Sequence, residues 1–235
     1  MLFRQLFDQT SSTFTYLLAD NGEGVLIDPV REHLERDLAL LDELGVRLVL
    51  VLETHVHADH VTAAGLLRER TGARTAASGR GAPCIDQPLA EGMTLRFGAR
   101  EIRVLETPGH TDDSLTFVVA GDADGPDMLF TGDALLIRGC GRTDFQNGDA
   151  GQLYDALTRK LFVLPDATRV YPGHDYRGLT MTTIGEERRF NKRLANRSRE
   201  DFVALMAGLG LPRPKLIDEA VPANRACGRD TIHAA

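Results

Sequence analysis

The sequence predicts an α/β fold of two packed sheets flanked by helices, because strand-like and helix-like segments alternate in two similar halves. Each half of the 235-residue chain is rich in short apolar strands and is followed by helical segments. Apolar residues recur at helical spacing over 34–44, and Gly45 ends that pattern. The apolar run at 47–52 follows directly and is typical of a strand that is covered on both faces.

The same patterns predict the remaining elements. Further strands are predicted at 2–7, 13–19, 24–27, 101–106, 114–120 and 168–171, and further helices at 60–70, 152–161, 186–193 and 200–208. Pro212 and Pro214 open a tail that is predicted to be irregular. Residues 1–235 are therefore predicted to form a single domain, with a short helical and irregular C-terminal extension from about residue 186.

Composition and charge argue against two classes of partner. The chain has 43% hydrophobic and 26% charged residues, which is ordinary for a globular protein. Its 27 Lys and Arg residues against 34 Asp and Glu give a net charge of -7, and no segment concentrates basic residues with aromatic ones. We therefore expect no nucleic-acid partner. The strongest apolar run, 48–52, is too short to span a bilayer, so we expect no membrane partner.

The cysteines and the N-terminus both predict a cytoplasmic protein. Cys84, Cys140 and Cys227 are widely spaced and odd in number, which predicts no disulfide framework and favours a reducing compartment. We expect structural or incidental roles for all three thiols. The N-terminal residues lack the long apolar core of a secretory signal and the Arg-rich pattern of an organellar one.

The strongest chemical signal is the run Thr-His-Val-His-Ala-Asp-His at 54–60, between a predicted strand and a predicted helix. A single histidine is more often a satisfied polar residue than a metal ligand. Four candidate ligands within six positions are better explained by a metal ion, because a short loop directs their side chains towards one point. These candidates are His55, His57, Asp59 and His60.

Three later motifs each place one more candidate ligand at the end of a strand-like segment. They are Pro-Gly-His-Thr at 108–111, Phe-Thr-Gly-Asp at 130–133 and Tyr-Pro-Gly-His at 171–174. In each motif a small or turn-forming residue precedes the candidate, so that the backbone can bend and aim the side chain inward. The motifs contribute His110, Asp133 and His174, whereas His33 and His233 are assigned no function.

Together these motifs resemble the metallo-β-lactamase fold superfamily, whose signature is a His-x-His-x-Asp-His loop with later His, Asp and His ligands. The resemblance covers nearly the whole chain and implies an αββα sandwich of two mixed sheets flanked by helices, with the metal site at the edge between the sheets. The ligand set is also that of glyoxalase II, a dinuclear hydrolase of glutathione thioesters. By that resemblance one metal would take His55, His57 and His110, the other would take Asp59, His60 and His174, and Asp133 would bridge.

Three segments resemble the persulfide dioxygenase (sulfur dioxygenase) branch of this superfamily more specifically. They are Ala-Leu-Leu-Ile-Arg-Gly-Cys-Gly-Arg-Thr-Asp-Phe-Gln at 134–146, Tyr-Pro-Gly-His-Asp-Tyr at 171–176 and Val-Pro-Ala-Asn-Arg-Ala-Cys-Gly at 221–228. Many enzymes of the branch have alanine where Gly173 stands. Glyoxalase II carries a longer C-terminal helical domain, whereas only about sixty residues follow His174 here.

This branch holds one iron with two histidines and one carboxylate. Carried over by motif, the ligands and catalytic residues are His55, His110 and Asp133, with one Fe(II) per chain. Three protein ligands leave positions open for substrate sulfur and dioxygen. The resemblance makes His57, Asp59, His60 and His174 either groups surrounding those ligands or a second metal site.

The resemblance also places Arg142, Tyr176 and Arg193 near the glutathione, whose carboxylates suit arginine. Two alternatives stay open. Arg142 has Asp144 nearby as an ion-pair partner, and Arg193 lies in a charged segment that would also suit a solvated helix face.

The implied activity is iron-dependent oxidation of glutathione persulfide by dioxygen and water to sulfite and glutathione, which makes the chain a non-heme iron oxidoreductase. One alternative is the dinuclear thioester hydrolase, and a second is a non-enzymatic metal-binding or sulfide-sensing module. The sequence has no rhodanese-like Cys loop, so any sulfurtransferase partner would be a separate chain. A homodimer is compatible with the sequence, which does not give the oligomeric state.

Overall fold

The computed structural model describes residues 1–123 and 125–229, and the secondary structure of these residues consists mainly of short strands and helices. The strands are β1 (Leu2–Phe7), β2 (Phe14–Asp20), β3 (Glu23–Ile27), β4 (Arg47–Leu52), β5 (Arg74–Ser78), β6 (Gln87–Leu89), β7 (Thr94–Phe97), β8 (Arg100–Glu106), β9 (Leu115–Val119), β10 (Met128–Gly132), β11 (Arg169–Pro172) and β12 (Thr182–Thr183). The α-helices are α1 (Leu34–Glu43), α2 (Ala64–Thr71), α3 (Ala150–Ala156), α4 (Ile184–Phe190), α5 (Arg199–Ala207) and α6 (Ile217–Arg225).

The strands form two six-stranded sheets of mixed direction. The first has the order β1-β2-β3-β4-β5-β6, antiparallel from β1 to β3 and parallel from β3 to β6. The second has the order β12-β11-β10-β9-β8-β7, and in it β10 and β11 run parallel. Two mixed sheets with accompanying helices are what the sequence predicts.

The chain divides into two compact units. The first comprises Met1–Leu89, Leu95–Glu101 and residues 213–229, and the second comprises Ala90–Thr94 and the described residues of Ile102–Pro212. The proposed extension from about residue 186 is therefore shared, since residues 186–212 belong to the second unit and later residues to the first. The interpretation of 1–235 as one domain stays a prediction.

Parallel strands carry the first candidate ligands in the first unit. Leu50, Val51 and Leu52 of β4 are fully buried, as the apolar run predicts, and Leu67 of α2 packs in the same core as Val51. Each such buried side chain stabilises the fold by roughly 1.5–3 kcal/mol relative to an exposed one. The loop at 54–60 starts where β4 ends, at the carboxyl edge that β4 shares with its parallel neighbours β3 and β5.

The second unit has its own core, which fixes the ends of β10 and β11. Leu129 and Val170 pack with Leu153, Leu157 and Phe202 from the helical segments that follow. The residues directly after these two strands are Asp133 and, one glycine later, His174. The core therefore determines where these two side chains emerge.

Two sequence predictions about local structure need correction. Helix α2 begins at Ala64 and not at residue 60, because residues 61–63 pair with the segment before α1 through Arg31 N to Val61 O at 2.8 Å and a Val30–Thr62 bridge. The predicted irregular tail is wrong, since α6 forms there with Pro222 inside it. Proline lacks one amide donor, and this helix accommodates it at an exposed position.

The prediction that the cysteines form no disulfide is also wrong. Cys84 and Cys227 are joined in the first unit, with an S–S distance of 2.04 Å. Their separation of 143 residues hid this pairing, because it depends on the packing of α6 and not on local sequence. Cys140 is a buried free thiol in the second unit. None of the helices in residues 1–123 and 125–229 has the length and apolar character needed to cross a membrane.

Candidate metal centre

The start of the histidine loop, residues 54–60, is fixed by a buried aspartate from the neighbouring strand. Asp28 directly follows β3, and its side chain accepts hydrogen bonds from the Thr54 amide at 2.7 Å and the Thr54 hydroxyl at 2.8 Å. Its backbone is left-handed, with φ of +51°, a conformation that aspartate tolerates better than most residues. Asp28 and Thr54 therefore position the first histidine of the loop.

Thr54 also sets the tautomer of His55. The Thr54 hydroxyl donates its proton to Asp28, so its oxygen accepts from Nδ1 of His55 at 3.0 Å. With the proton on Nδ1, the neutral ring of His55 carries its lone pair on Nε2. Metal-binding imidazoles are commonly oriented by such a bond from the other ring nitrogen.

A second set of donors lies further along the loop. Ligand atoms of His57, Asp59 and His60 all lie within 4.8 Å of one another, so two imidazoles and a carboxylate suit a metal ion. Thr13 donates to Asp59 Oδ2 at 3.1 Å, and His60 Nδ1 lies 3.1 Å from the same oxygen. Thr13 comes from the N-terminal side of β2, and no motif in the sequence indicates its role.

His57 also belongs to a buried charge cluster. Its Nε2 lies 3.1 Å from Asp28 and 3.5 Å from Glu53. Burial by itself would lower the pKa of His57, but the hydrogen bond and charge of Asp28, with Glu53, raise it to about 9. Burial and the Asp28 charge raise the pKa of Glu53 to about 8. Metal binding by His57 would therefore have to release a proton.

In the second unit, Asp133 lies between two histidines. Nδ1 of His174 donates to Asp133 Oδ1 at 2.6 Å, and Nε2 of His110 lies 3.7 Å from Asp133 Oδ2. Nδ1 of His110 donates to the Arg142 carbonyl at 2.7 Å, because a carbonyl oxygen can only accept. The neutral His110 ring thus carries its lone pair on Nε2, towards the second carboxylate oxygen. An imidazole nitrogen and a carboxylate oxygen so arranged are suitable metal ligands.

Two glycines leave room for this arrangement. A Cβ at Gly141 would lie 2.5 Å from the Asp133 carbonyl oxygen and 2.6 Å from His110 Nδ1. A Cβ at Gly173 would lie 2.8 Å from Asp133 Oδ1, the oxygen that binds His174. Gly173, which stands where many enzymes of the branch have alanine, therefore lies directly beside the carboxylate. It leaves that oxygen more space than alanine would.

The predicted glutathione contact Arg142 is already engaged by protein groups. Its guanidinium donates to both Asp144 oxygens, at 2.7 and 2.8 Å, and to the carbonyls of Pro212 and Leu211 at 2.6 and 3.2 Å. It also lies over the Phe145 ring, 4.6 Å from the centroid. The ion pair with Asp144 that the sequence left open is present, and a role in substrate binding stays a prediction.

The other two predicted contacts differ in exposure. Tyr176 is 72% exposed, and its ring stacks on His174 with centroids 6.0 Å apart, so the structure brings it to the Asp133 side of the second unit. Arg193 follows α4 instead of lying within it, and it donates to the Cys140 carbonyl. Arg193 therefore does not lie on a solvated helix face.

Cys140 is packed as a core residue. It is 2% exposed, and burial raises the pKa of its thiol to about 11. A thiol of this kind is inert at neutral pH, since the thiolate is the reactive form. The structural role expected for Cys140 is supported by this environment.

Comparison with known proteins gives a consistent result over almost the whole chain. Residues 9–83 and 82–174 match the Metallo-beta-lactamase superfamily. The human protein named persulfide dioxygenase ETHE1, mitochondrial, is 48% identical over 234 residues, covering 98% of this chain and 90% of that protein. The crystal structure of ETHE1 from Myxococcus xanthus is 57% identical with a TM-score of 0.94, covering 97% of this chain and 100% of that one.

A further similar structure was solved with metal bound. TTHA1623, crystallised in a di-iron-bound form, is 31% identical with a TM-score of 0.67, and the match covers 81% of this chain and 100% of that one. These similarities confirm the predicted metallo-β-lactamase fold, with two mixed sheets and flanking helices.

Proposed function

The chain belongs to the persulfide dioxygenase branch of the metallo-beta-lactamase superfamily, and from that premise we propose that it oxidises glutathione persulfide with dioxygen and water to sulfite and glutathione. The observation that carries this proposal is the 48% identity to the human persulfide dioxygenase over 98% of the chain. The histidine loop and the His110–Asp133 pair supply the metal-binding groups that such a reaction needs.

His55, His110 and Asp133 are the proposed ligands of one Fe(II) per chain. Each of the two imidazoles has its Nδ1 hydrogen-bonded to the protein, which would leave Nε2 to hold the metal. Two histidines and one carboxylate are the set that holds non-heme iron in many oxygenases while leaving open positions. When bound, the iron supplies the redox chemistry and open positions for sulfur and dioxygen.

The protein groups around these ligands have separate tasks in the proposed reaction. His174 holds one oxygen of Asp133, so the carboxylate keeps one orientation. Asp28 and Thr54 hold His55 in a single tautomer. No protein nucleophile takes part.

The substrate contacts proposed for glutathione are Tyr176, Arg142 and Arg193. The exposed, stacked position of Tyr176 supports its assignment, because the ring is accessible beside His174. Arg142 would have to exchange Asp144 for a substrate carboxylate, and Arg193 would have to bind substrate from its place beside the Cys140 carbonyl.

Cytoplasmic location, a homodimer and a separate sulfurtransferase partner remain predictions. The Cys84–Cys227 disulfide counts against the first, because cytosolic thiols are generally kept reduced. Fractionation of the producing cells, with thiol trapping of this cysteine pair, would test the location.

Dinuclear hydrolysis of a glutathione thioester is the second candidate. The cluster of His57, Asp59 and His60 favours it, since these residues could hold a second metal ion, and a di-iron relative is known. In such enzymes a bridging hydroxide attacks the carbonyl carbon.

An activity panel separates the two functions. The purified protein is offered glutathione persulfide under air and, separately, a lactoyl thioester of glutathione, and sulfite and free thiol are quantified. We expect sulfite only from the persulfide and no hydrolysis of the thioester above the rate in buffer. Thioester hydrolysis without sulfite would support the hydrolase, and bound metal without either product would support a non-enzymatic module.

A further inference from the structure

The side chain of Asn224 fastens α6 to the histidine loop within the first unit. Its Nδ2 donates to the carbonyls of His57 at 2.9 Å and His60 at 2.8 Å. Its Oδ1 accepts from the Thr62 amide at 2.8 Å. Asn224 is only 5% exposed, so water does not readily replace these bonds. All three polar contacts thus define the path of the backbone from 57 to 62.

The Cys84–Cys227 disulfide holds the end of this helix in place. The Gly65 amide, at the start of α2, donates to the Cys227 carbonyl at 2.9 Å. On the other side of the bridge, Arg68 of α2 donates to the Cys84 carbonyl at 3.1 Å. Both halves of the disulfide are therefore attached to α2, the next helix after the histidine loop.

We propose that Asn224 is a positioning residue for the histidine loop and that the Cys84–Cys227 disulfide holds Asn224 in place. Opening the disulfide therefore makes the loop more mobile and weakens iron binding. This inference rests on the proposed iron-binding role of the loop. The segment 221–228 thereby gains a role that motif resemblance alone did not supply.

The physical reason is that the loop lacks the repeating backbone hydrogen bonds of a helix or strand. Residues 57–62 lie between β4 and α2, outside regular secondary structure apart from the bridge at Thr62. Without Asn224 the carbonyls of His57 and His60 would lose their donor in a buried setting, which favours other loop conformations. A ligand such as His55 binds metal well only when its loop is held in one conformation.

Opening the disulfide needs two electrons, which two thiol molecules supply. A thiolate attacks Cys84, the more exposed partner, forms a mixed disulfide with it and releases the Cys227 thiolate, which takes up a proton. A second thiol cleaves the mixed disulfide, so that Cys84 also becomes a thiol and the two reagent thiols become one disulfide. Glutathione, the thiol product of the proposed reaction, belongs to this class of reductant.

The test compares Asn224→Ala with Val221→Ala, a matched control on the same helix that shortens a half-buried side chain without any hydrogen-bonding group. Hydrogen exchange of peptides spanning 54–65 is measured on the metal-free proteins, and the dissociation constant of Fe(II) is measured by chelator competition. Thermal melts show how much each substitution destabilises the fold. Asn224→Asp is the second variant, because it keeps the side-chain size but removes both donors.

The two readouts separate this inference from the proposed function. We expect Asn224→Ala and Asn224→Asp to speed exchange over 57–62 by about tenfold and to weaken Fe(II) binding by roughly tenfold, the lower end of the range for groups outside the ligand set. Val221→Ala should leave the exchange rate and the Fe(II) affinity unchanged, even if it lowers the melting temperature as much as the Asn224 substitutions do. Equal effects of the Asn224 and Val221 substitutions overturn the positioning role. A wild-type chain that binds no iron overturns the proposed function instead, and the exchange data still decide this inference.

The redox part is tested on the wild-type chain with and without a phosphine reductant, and on Cys84→Ser/Cys227→Ser. Thiol titration after denaturation should give one thiol in the oxidised chain, from Cys140, and three after reduction. Reduced wild type and the double variant should both show faster exchange over 57–62 and weaker Fe(II) binding, and reductant should not change the double variant further. If the reduced wild type keeps the exchange rate and the Fe(II) affinity of the oxidised chain, the disulfide does not hold Asn224 in place.

Discussion

Oδ1 of Asp133 lies 2.6 Å from Nδ1 of His174, so one oxygen of the proposed iron-binding carboxylate is already hydrogen-bonded inside the second unit. The other oxygen lies towards Nε2 of His110, 3.7 Å away. This division of the carboxylate supports one metal-binding oxygen on Asp133, with His174 as the group that orients it.

The first prediction compares loss of the ligand with loss of its partner. Asp133→Ala should remove iron from the protein, because one of three ligands is lost. His174→Ala should retain most of the iron and lower kcat/KM by roughly 10–100-fold, since groups that orient ligands typically contribute that much. Metal analysis with oxygen-uptake kinetics checks both. The same loss of iron in both variants would indicate that His174 itself binds metal.

The second prediction concerns the cluster of His57, Asp59 and His60. Asp59→Ala and His60→Ala should each retain substantial iron and reduce activity, because the proposed single iron does not use these residues. Iron per chain, measured by plasma emission spectroscopy, is the readout, with Asp133→Ala as the comparison. If either substitution removes as much metal as Asp133→Ala does, the site is dinuclear.

The third prediction tests the two roles of Arg142. Arg142→Ala should lower the melting temperature, because it deletes four hydrogen bonds to Asp144, Leu211 and Pro212. If the guanidinium also binds a glutathione carboxylate, kcat/KM should fall by about one to two orders of magnitude because KM rises. A charge-assisted contact contributes roughly 1.5–3 kcal/mol. Arg142→Lys should recover only part of this.

Asp144→Ala is the matched control for Arg142. It removes the same ion pair but keeps the guanidinium, so it should destabilise the loop without raising KM for the persulfide. A destabilised Arg142→Ala protein with the wild-type KM would assign Arg142 a purely structural role.

The fourth prediction is a pH dependence of stability set by Asp8. Burial raises the pKa of Asp8, but the hydroxyl and amide of Ser11, with His33, lower it overall from 3.8 to about 2. A carboxyl whose pKa is lower in the folded chain stabilises it above the unfolded pKa, and this stabilisation is lost as the pH falls from about 4 to about 2. Its size is roughly 2 kcal/mol.

Denaturant unfolding of wild type and Asp8→Asn at pH 6 and pH 2 checks this. Asp8→Asn should be less stable than wild type at pH 6, and the difference should shrink at pH 2, where the folded wild-type carboxyl is about half protonated and most of its stabilisation is lost. A difference that is independent of pH would show that hydrogen-bond geometry, and not charge, accounts for the effect.

The sequence predicted those elements whose positions depend only on local sequence patterns. The apolar run at 47–52 matches β4, and the position of the histidine loop directly after it needed only the strand pattern. Asp28 was missed because it is remote in sequence, although a charged residue directly after a buried parallel strand is a usable signal. Thr54 was noted only as the start of the motif, since its contacts with Asp28 and His55 depend on folding.

The C-terminal segment could not be predicted in the same way. Pro222 lies inside α6, and proline is normally a signal that a helix has ended. The helix forms because Ala220 and Asn224 pack on the first unit and Cys227 is covalently held, which are tertiary contacts over more than 140 residues. Such contacts leave no periodic pattern in the sequence.

The central claim is tested most directly by counting iron per chain and sulfite formed per dioxygen consumed in the same preparation. The protein is purified without air, loaded with Fe(II), freed of excess metal and mixed with glutathione persulfide in a closed oxygen-electrode cell. We predict about one iron per chain and one sulfite per dioxygen, with activity that is lost on chelation and restored by Fe(II) but not by Zn(II). Two metals per chain, or turnover restored by Zn(II) without oxygen uptake, would contradict the account.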